Sequence, residues 1–221
     1  MHIRWFGQSA FLLRGEKSVF VDPFGDPGAL GSRGLEFRYP PIEGVTADLV
    51  LVTHDHFDHN AVEVVGGSPS VLRAAGTHES PIGDVVGIAS EHDSIAGTQR
   101  GSNTIFRFAL DGLRVAHLGD FGQPALRPEQ AAALGEVDVL FLPVGGGPTI
   151  GGAEAAALVH EVGPRLVVPM HYRTAAVNFL EQPDAFLKTL GAPVKRLETS
   201  EADVEPLLAT SETAVALLAP P

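Results

Sequence analysis

The sequence predicts an α/β fold. Three observations carry that reading: short β-branched and aromatic runs bounded by turn residues fill the N-terminal half, a hairpin is marked near the middle, and helical and strand-like patterns alternate after it. The first runs are Ala10 to Leu13, Val19 to Asp22, Asp48 to Thr53 and Val85 to Ala89. Thr104 to Leu110 and Leu113 to Leu118 flank Asp111-Gly112, a dipeptide suited to a two-residue hairpin turn. Pro128 to Leu134 reads as a helix, Val137 to Pro143 as a buried strand, Ala153 to Val162 as an alanine-rich helix and Arg165 to Met170 as another buried strand. Pro183 to Leu190 is a further short helix, and the stretch from Val194 onward is strand-like. Between Phe24 and Thr46 runs GDPGALGSRGLEFRYPPIEGV, a glycine- and proline-rich connection with no element of its own. Such a loop either covers a site or is a solvated excursion.

Composition bounds the rest. A chain of 221 residues that is 44% hydrophobic can bury a full core as one domain, 1–221, without disulfides or a metal staple, so any metal would serve chemistry. With no cysteine, a disulfide scaffold, a cysteine-type zinc finger, an iron–sulfur cluster and a cysteine nucleophile are all excluded. A formal charge of −12, with basic residues scattered singly, disfavours nucleic acid as a partner. The start, Met1-His2-Ile3-Arg4-Trp5-Phe6, lacks the pattern of a signal peptide, and no apolar run approaches the ~20 residues of a membrane span. A soluble, cytoplasmic protein with no membrane partner is the expectation, and the oligomeric state is left open.

The strongest chemical signal is Thr53-His54-Asp55-His56-Phe57-Asp58-His59, placed directly after the apolar run Leu49 to Val52. It has the form HxHxDH. Imidazole and carboxylate suit Zn²⁺ and its neighbours in the first transition row, and four such groups at a strand end can point into one pocket. Chance matches those positions on the order of once in a thousand chains of this length. Further candidates are His92 in Ser90-Glu91-His92-Asp93, Asp120 in His117-Leu118-Gly119-Asp120, and His171 in Pro169-Met170-His171-Tyr172. Each sits at or after a strand end, and layered α/β folds collect strand ends on one edge. Seven groups suffice for two metals with shared coordination, and Asp120, arriving alone from its own strand, is the carboxylate placed to bridge them.

In order along the chain, THDHFDH, SEHD followed by Arg100-Gly101-Ser102-Asn103, AHLGD, PVGGGPT and PMHY resemble the metallo-β-lactamase superfamily. The resemblance covers nearly the whole chain and is nearest the lactonase-like group that includes the ascorbate-6-phosphate lactonases. It implies a four-layer αββα sandwich, helices outside two facing sheets, with a zinc-dependent hydrolase site on one edge. Carried over by position, it implies His54, His56 and His92 around one metal. Asp58, His59 and His171 would hold the second, with Asp120 shared.

His117, three residues before Asp120, competes with His92 for the first metal. His92 is preferred, because it arrives on a separate turn and can approach from another direction, which leaves His117 as a buried partner or core histidine. Asp22, after Val19-Phe20-Val21, either orients a ligand imidazole or forms an Asp-Pro turn. Gly145 to Thr149 either presents N–H groups to an anion or is a simple turn. Tyr172 and Arg173 are candidates to meet the substrate, as hydrogen-bond donor and as cation.

The expected function is hydrolysis of a small-molecule ester or lactone, possible substrates being anionic, by hydroxide generated on two divalent ions. Zn²⁺ is expected first, with Mn, Fe and Ni compatible with the same groups, and Asp58 and Asp120 are the catalytic carboxylates. A phosphodiesterase acting on a small or single-stranded substrate is the alternative reaction. A metal-containing, metabolite-binding protein without turnover is the alternative class.

Overall fold

The computed structural model describes residues 1–26, 34–208 and 212–221. In chain order the strands are β1 (His2–Gly7), β2 (Ala10–Arg14), β3 (Ser18–Val21), β4 (Val45–Thr46), β5 (Leu49–Leu51), β6 (Val65–Gly66), β7 (Ser70–Leu72) and β8 (Gly76–Ser80). Then follow β9 (Gly83–Glu91), β10 (Ser102–Leu110), β11 (Leu113–His117), helix α1 (Pro128–Leu134), β12 (Val139–Pro143), helix α2 (Gly152–Val162) and β13 (Leu166–Met170). Helix α3 (Asp184–Leu190) precedes β14 (Val194–Arg196), β15 (Glu201–Asp203) and β16 (Ala214–Leu217). One sheet has the order β15-β1-β2-β3-β5-β7 and the other β14-β16-β13-β12-β11-β10-β9-β8; β4 and β6 form a small separate pair.

Strand parity explains why the two sheets stack. In β1, β2, β3 and β5 the residues Ile3, Trp5, Phe11, Leu13, Val19, Val21, Leu49 and Leu51 face one core, shared with Phe106, Phe108 and Phe141 of the other sheet. Their neighbours Phe6, Leu12, Phe20 and Val50 point the opposite way into a second core. Burying each such side chain contributes roughly 1.5–3 kcal/mol, so a one-residue slip in register would be strongly opposed. On the eight-stranded sheet, β12 and β13 are buried along their whole length because α1, α2 and α3 supply Leu134, Ala155, Val159 and Phe186 to the first core.

The second core is closed differently. Among the described residues, irregular chain carrying Phe24, Phe37, Tyr39, Ile42, Val177 and Leu180, with a 3-10 turn at Val62–Val64, covers the outer face of the six-stranded sheet. The fourth layer of the sandwich is therefore mostly loop, because the proline-rich Phe24 to Thr46 connection inserts large apolar side chains without continuing a helix. Part of that connection, residues 27–33, lies outside the described residues. Where described, it packs on the sheet and ends in β4, so it is neither free of elements nor a solvated excursion.

Asp111 and Gly112 both have positive φ, 50° and 77°, and close the β10–β11 hairpin as a two-residue turn. Strands β3, β5 and β7 run parallel, as do β11, β12 and β13, while β9 is antiparallel to β10 and so shares the direction of β11. The C-terminal ends of β3, β5, β9, β11 and β13 consequently open on one edge, together with the β1–β2 turn. Among the described residues, no helix is long and apolar enough to cross a membrane.

Candidate metal centre

That edge brings the seven candidates together. His54, His56 and His92 form one group, His54, His59 and Asp120 a second, and Asp58, His59 and His171 a third, with the donor atoms in each within 4.8 Å of one another. Asp120 Oδ2 lies 3.2 Å from His92 Nε2, 3.2 Å from His171 Nε2 and 3.4 Å from His59 Nε2. His59 Nε2 is also 3.7 Å from Asp58 Oδ2, and His54 Nε2 is 3.0 Å from His56 Nδ1. His59 therefore belongs to both sides of the cluster, and one carboxylate oxygen stands between imidazoles carried by β9 and β13.

Hydrogen bonds behind the cluster fix which nitrogen His54, His59 and His92 turn inward. Asp22 is fully buried and accepts from Thr53 N–H at 2.8 Å, Thr53 Oγ1–H at 2.7 Å and His59 Nδ1 at 2.9 Å. Since the Thr53 hydroxyl donates to Asp22, its oxygen is left to accept from His54 Nδ1, 3.0 Å away. His92 Nδ1 faces the Pro148 carbonyl at 3.0 Å. In each of these three rings Nδ1 carries the proton and Nε2 looks into the cluster, the arrangement metal-binding histidines use. Ser9 Oγ donates to Asp120 Oδ1 at 3.1 Å, and Asp120 N–H donates to Asn103 Oδ1 at 3.1 Å. The Asn103 contact depends on Gly119, with φ +56°, since a Cβ there would come within 2.4 Å of Asn103 Oδ1.

The charges are arranged for a cation. Burial holds the His54 imidazole far below its ordinary pKa, with His59 adding to the effect, and burial also lowers His56; both offer neutral lone pairs. His59 goes the other way: burial opposes its charge, yet Asp120, Asp58 and Asp22 together hold its pKa well above the ordinary value. Burial likewise opposes charge on Asp120, but His171 and His59 keep it ionised far below the carboxylate range. His59 Nε2 is buried without a hydrogen-bond partner among these groups. A buried orphan nitrogen, neutral imidazoles and concentrated carboxylate charge fit a divalent cation of the first transition row.

The remaining sequence candidates fall into two sets. His117 joins none of the groups: its Nε2 faces the Ser9 carbonyl at 3.0 Å, its Nδ1 accepts from Gly119 N–H at 3.1 Å, and its ring stacks on Phe141. Tyr172 is turned away from the site, buried against Trp5 with its hydroxyl directed to the Leu218 carbonyl at 3.5 Å, which corrects its expected role as a donor to substrate. Arg173, two residues after His171, is exposed. The glycine turn also differs from an anion cradle. Gly146 N–H and Thr149 N–H bond within the turn, to Ile150 O and Gly146 O, and the turn shows His92 a carbonyl.

Ser9, Thr53 and Asn103 support the site yet carried no signal in the sequence beyond their places beside HxHxDH and in the GSN that follows SEHD. Asp93, adjacent to His92, accepts four backbone N–H groups, from Ile95, Gly97, Gln99 and Arg100, and so shapes the loop that follows. Gln123 and Gln130 pair amide to amide at 3.0 Å, and Gln123 also accepts Glu91 N–H, which ties the Asp120 segment to the end of β9.

Residues 2–171 match the family model described as the beta-lactamase superfamily domain. A UPF0173 metal-dependent hydrolase of Thermococcus kodakarensis is 33% identical over 218 residues, covering 86% of this chain and 92% of the relative. A Thermotoga maritima crystal structure, assigned to the Zn-dependent hydrolases of the metallo-β-lactamase superfamily, is 31% identical with a TM-score of 0.77, covering 99% of each chain. The fold alone is shared with Igni18, a metallo hydrolase of Ignicoccus hospitalis, at 20% identity, a TM-score of 0.59 and coverage of 86% and 90%. A buried histidine–aspartate cluster on the strand-end edge of an α/β sandwich, together with these matches, makes the chain a member of the metallo-β-lactamase superfamily, in its UPF0173 family of metal-dependent hydrolases.

Proposed function

We propose that the protein hydrolyses a small-molecule ester or lactone with two divalent ions, Zn²⁺ first among the candidates, held by His54, His56, Asp58, His59, His92, Asp120 and His171. The observation that carries this reading is the position of Asp120 Oδ2, 3.2 Å from Nε2 of both His92 and His171. His54, His56 and His92 would hold one cation and Asp58, His59 and His171 a second, with the Asp120 carboxylate available to both. When bound, such ions supply a water of lowered pKa and polarise the carbonyl under attack.

The chain's own residues do the rest. Asp58 is half-buried beside His59 Nε2, where its carboxylate can orient a water and carry a proton toward the leaving group. Asp22, Thr53 and the Pro148 carbonyl hold the rings in one tautomer. Arg173, exposed and two residues after His171, supplies a cation for an anionic substrate. The charge of −12 weighs against a polyanionic nucleic-acid substrate. The lactonase-like motif order supports a cyclic ester.

Elemental mass spectrometry on protein purified without chelator or histidine tag, before and after equilibration with Zn²⁺ and Mn²⁺, tests the metal part. About two ions per chain are expected. Aryl esters, lactones and bis(aryl) phosphates assayed on the loaded protein test the reaction. Faster turnover of phosphodiesters than of esters would replace the ester reading, and a chain that stays empty would remove the two-ion reading.

A further inference from the structure

Of the imidazoles that turn Nε2 into the cluster, His54, His59 and His92 each have a partner on Nδ1: Thr53 Oγ1, Asp22 Oδ2 and the Pro148 carbonyl. His171 does not. Its Nδ1 is buried and unpartnered, although its Nε2 stands 3.2 Å from Asp120 Oδ2 like that of His92. A histidine that binds a cation through Nε2 carries its proton on Nδ1, and that proton needs an acceptor.

Among the described residues, Gln8 is the buried side chain in which every polar atom lacks a partner. It is 0% exposed, and neither its Oε1 nor its Nε2 has a partner. Gln8 sits in the β1–β2 turn with φ +47°, and its carbonyl accepts His171 N–H at 3.2 Å and Trp5 Nε1–H at 3.0 Å. His171 is itself left-handed, with φ +50°. Two non-glycine residues in a disfavoured backbone region, joined by a main-chain hydrogen bond and each with an unsatisfied buried side-chain group, form one unit. On its other side His171 is held by Gly145, where a Cβ would lie 2.2 Å from the His171 carbonyl oxygen. The backbone of His171 is thus clamped while its Nδ1 lacks a partner.

We infer that Gln8 is a positioning residue for the second cation: its Oε1 is the acceptor for His171 Nδ1–H when His171 Nε2 faces the ion. This rests on the two-ion reading above. Gln8 is then held as an unpaired amide in the interior for the sake of the loaded state.

The test uses the full-length wild type with Gln8→Met, which keeps length and bulk but has no acceptor, and Gln8→Glu, which restores one. Zn²⁺ affinity is read by competition with a chromophoric chelator, and melting is read on metal-free protein. Gln8→Met is expected to melt at or above the wild-type temperature when metal-free, since it removes an unsatisfied amide, yet to bind its second ion roughly tenfold to a hundredfold more weakly. Gln8→Glu is expected to recover part of that loss. Wild-type affinity in Gln8→Met overturns the inference, as does a loss of affinity matched by a drop in metal-free melting, which would mark a packing role. A wild type that binds no second ion overturns the functional reading and this inference with it, whereas two ions with Gln8→Met unaffected overturn the inference alone.

Discussion

Asp22 Oδ2 lies 2.9 Å from His59 Nδ1, and both side chains are wholly buried. The same carboxylate receives two hydrogen bonds from Thr53, whose hydroxyl in turn faces His54. One acid at the end of β3 therefore fixes the tautomers of two rings from the loop after β5. Asp22→Asn keeps the shape but cannot accept from all three donors. A tenfold to hundredfold loss of Zn²⁺ affinity is expected with melting little changed, read by chelator competition. Asp22→Ala leaves buried donors unpaired and is expected to cost about 1–3 kcal/mol of stability for each donor stranded. Wild-type affinity in Asp22→Asn would show that His59 needs no help in orienting.

His117 allows a prediction in pH. Burial pushes its imidazole down to about 4, against the small pull of Asp22 and the Ser9 carbonyl. In the unfolded chain the same ring takes a proton near 6.5, so below that pH the unfolded state binds a proton that the folded state refuses. The stabilisation from neutral His117 is thus present above pH 6.5, is lost as pH falls toward 4, and amounts to about 3 kcal/mol. His117→Phe, which suits the aromatic neighbours Phe11 and Phe141, removes this contribution. Urea unfolding of metal-free protein at pH 7 and pH 4.5 is expected to show a smaller difference for His117→Phe than for wild type. Zn²⁺ stoichiometry is expected to be unchanged in His117→Phe and reduced in His92→Ala; the reverse order would exchange the roles of the two histidines.

How far the site could be read from the sequence depends on where its parts lie. HxHxDH is local, so its four donors are visible together, and the positions of Asp120 and His171 at strand ends suffice to bring them to the same edge. Helix α1 was legible to its ends because Pro128 and Gly135 bracket it. By contrast β1, β7 and β8 left no separate signal. The Met1 to Phe6 stretch was weighed only as a leader, and β7 and β8 are short, half-exposed edge elements with polar residues such as Thr77, His78 and Glu79. The partners of the rings were hidden for another reason. Ser9, Asn103 and the Pro148 carbonyl are ordinary groups whose role comes only from long-range approach, as with Ser9 reaching Asp120 across 111 positions, and Thr53, although adjacent to His54, is oriented by Asp22 31 positions away. Tyr172 follows His171 in the chain yet turns into the core, because proximity in sequence does not say which way a side chain turns after a strand ends.

Asp93 predicts a local effect. Its two oxygens take N–H bonds of 2.8–2.9 Å from Ile95, Gly97, Gln99 and Arg100, and these bonds, against the opposing effect of desolvation, hold its pKa at about 2. The loop so wound begins at His92 and ends at Gly101, whose carbonyl accepts His92 N–H at 3.1 Å. Asp93→Ala removes the hub while leaving both cores intact. Cleavage by trypsin after Arg100 is expected to speed up by roughly tenfold, as loop opening is a low-energy local event, and Zn²⁺ on the His92 side is expected to bind more weakly. Asp93→Asn keeps one acceptor oxygen and is expected to fall between the two. Equal cleavage rates in wild type and Asp93→Ala would mean that the loop holds its shape without the carboxylate.

Gly122 sets the distance between the segments that carry Asp120 and His92. Its N–H donates to the Glu91 carbonyl at 2.9 Å, and a Cβ there would meet His92 C at 2.4 Å and Asp93 N at 2.5 Å, both backbone atoms with nowhere to retreat. Gly122→Ala must therefore push the two segments apart, and strain of this kind costs roughly 1–3 kcal/mol. Asp120 Oδ2 reaches His92 Nε2 at only 3.2 Å, so, on the two-ion reading proposed above, the same displacement is expected to weaken binding on the His92 side more than on the Asp58–His59–His171 side. Gly66→Ala is the control, because a Cβ there meets nothing closer than 3.4 Å. Metal titration and urea unfolding of both variants decide the matter. If Gly122→Ala loses stability but keeps wild-type affinity for both ions, the close approach serves packing and the site tolerates the shift; if affinity falls on one side alone, backbone contact at this glycine sets the width of the metal centre.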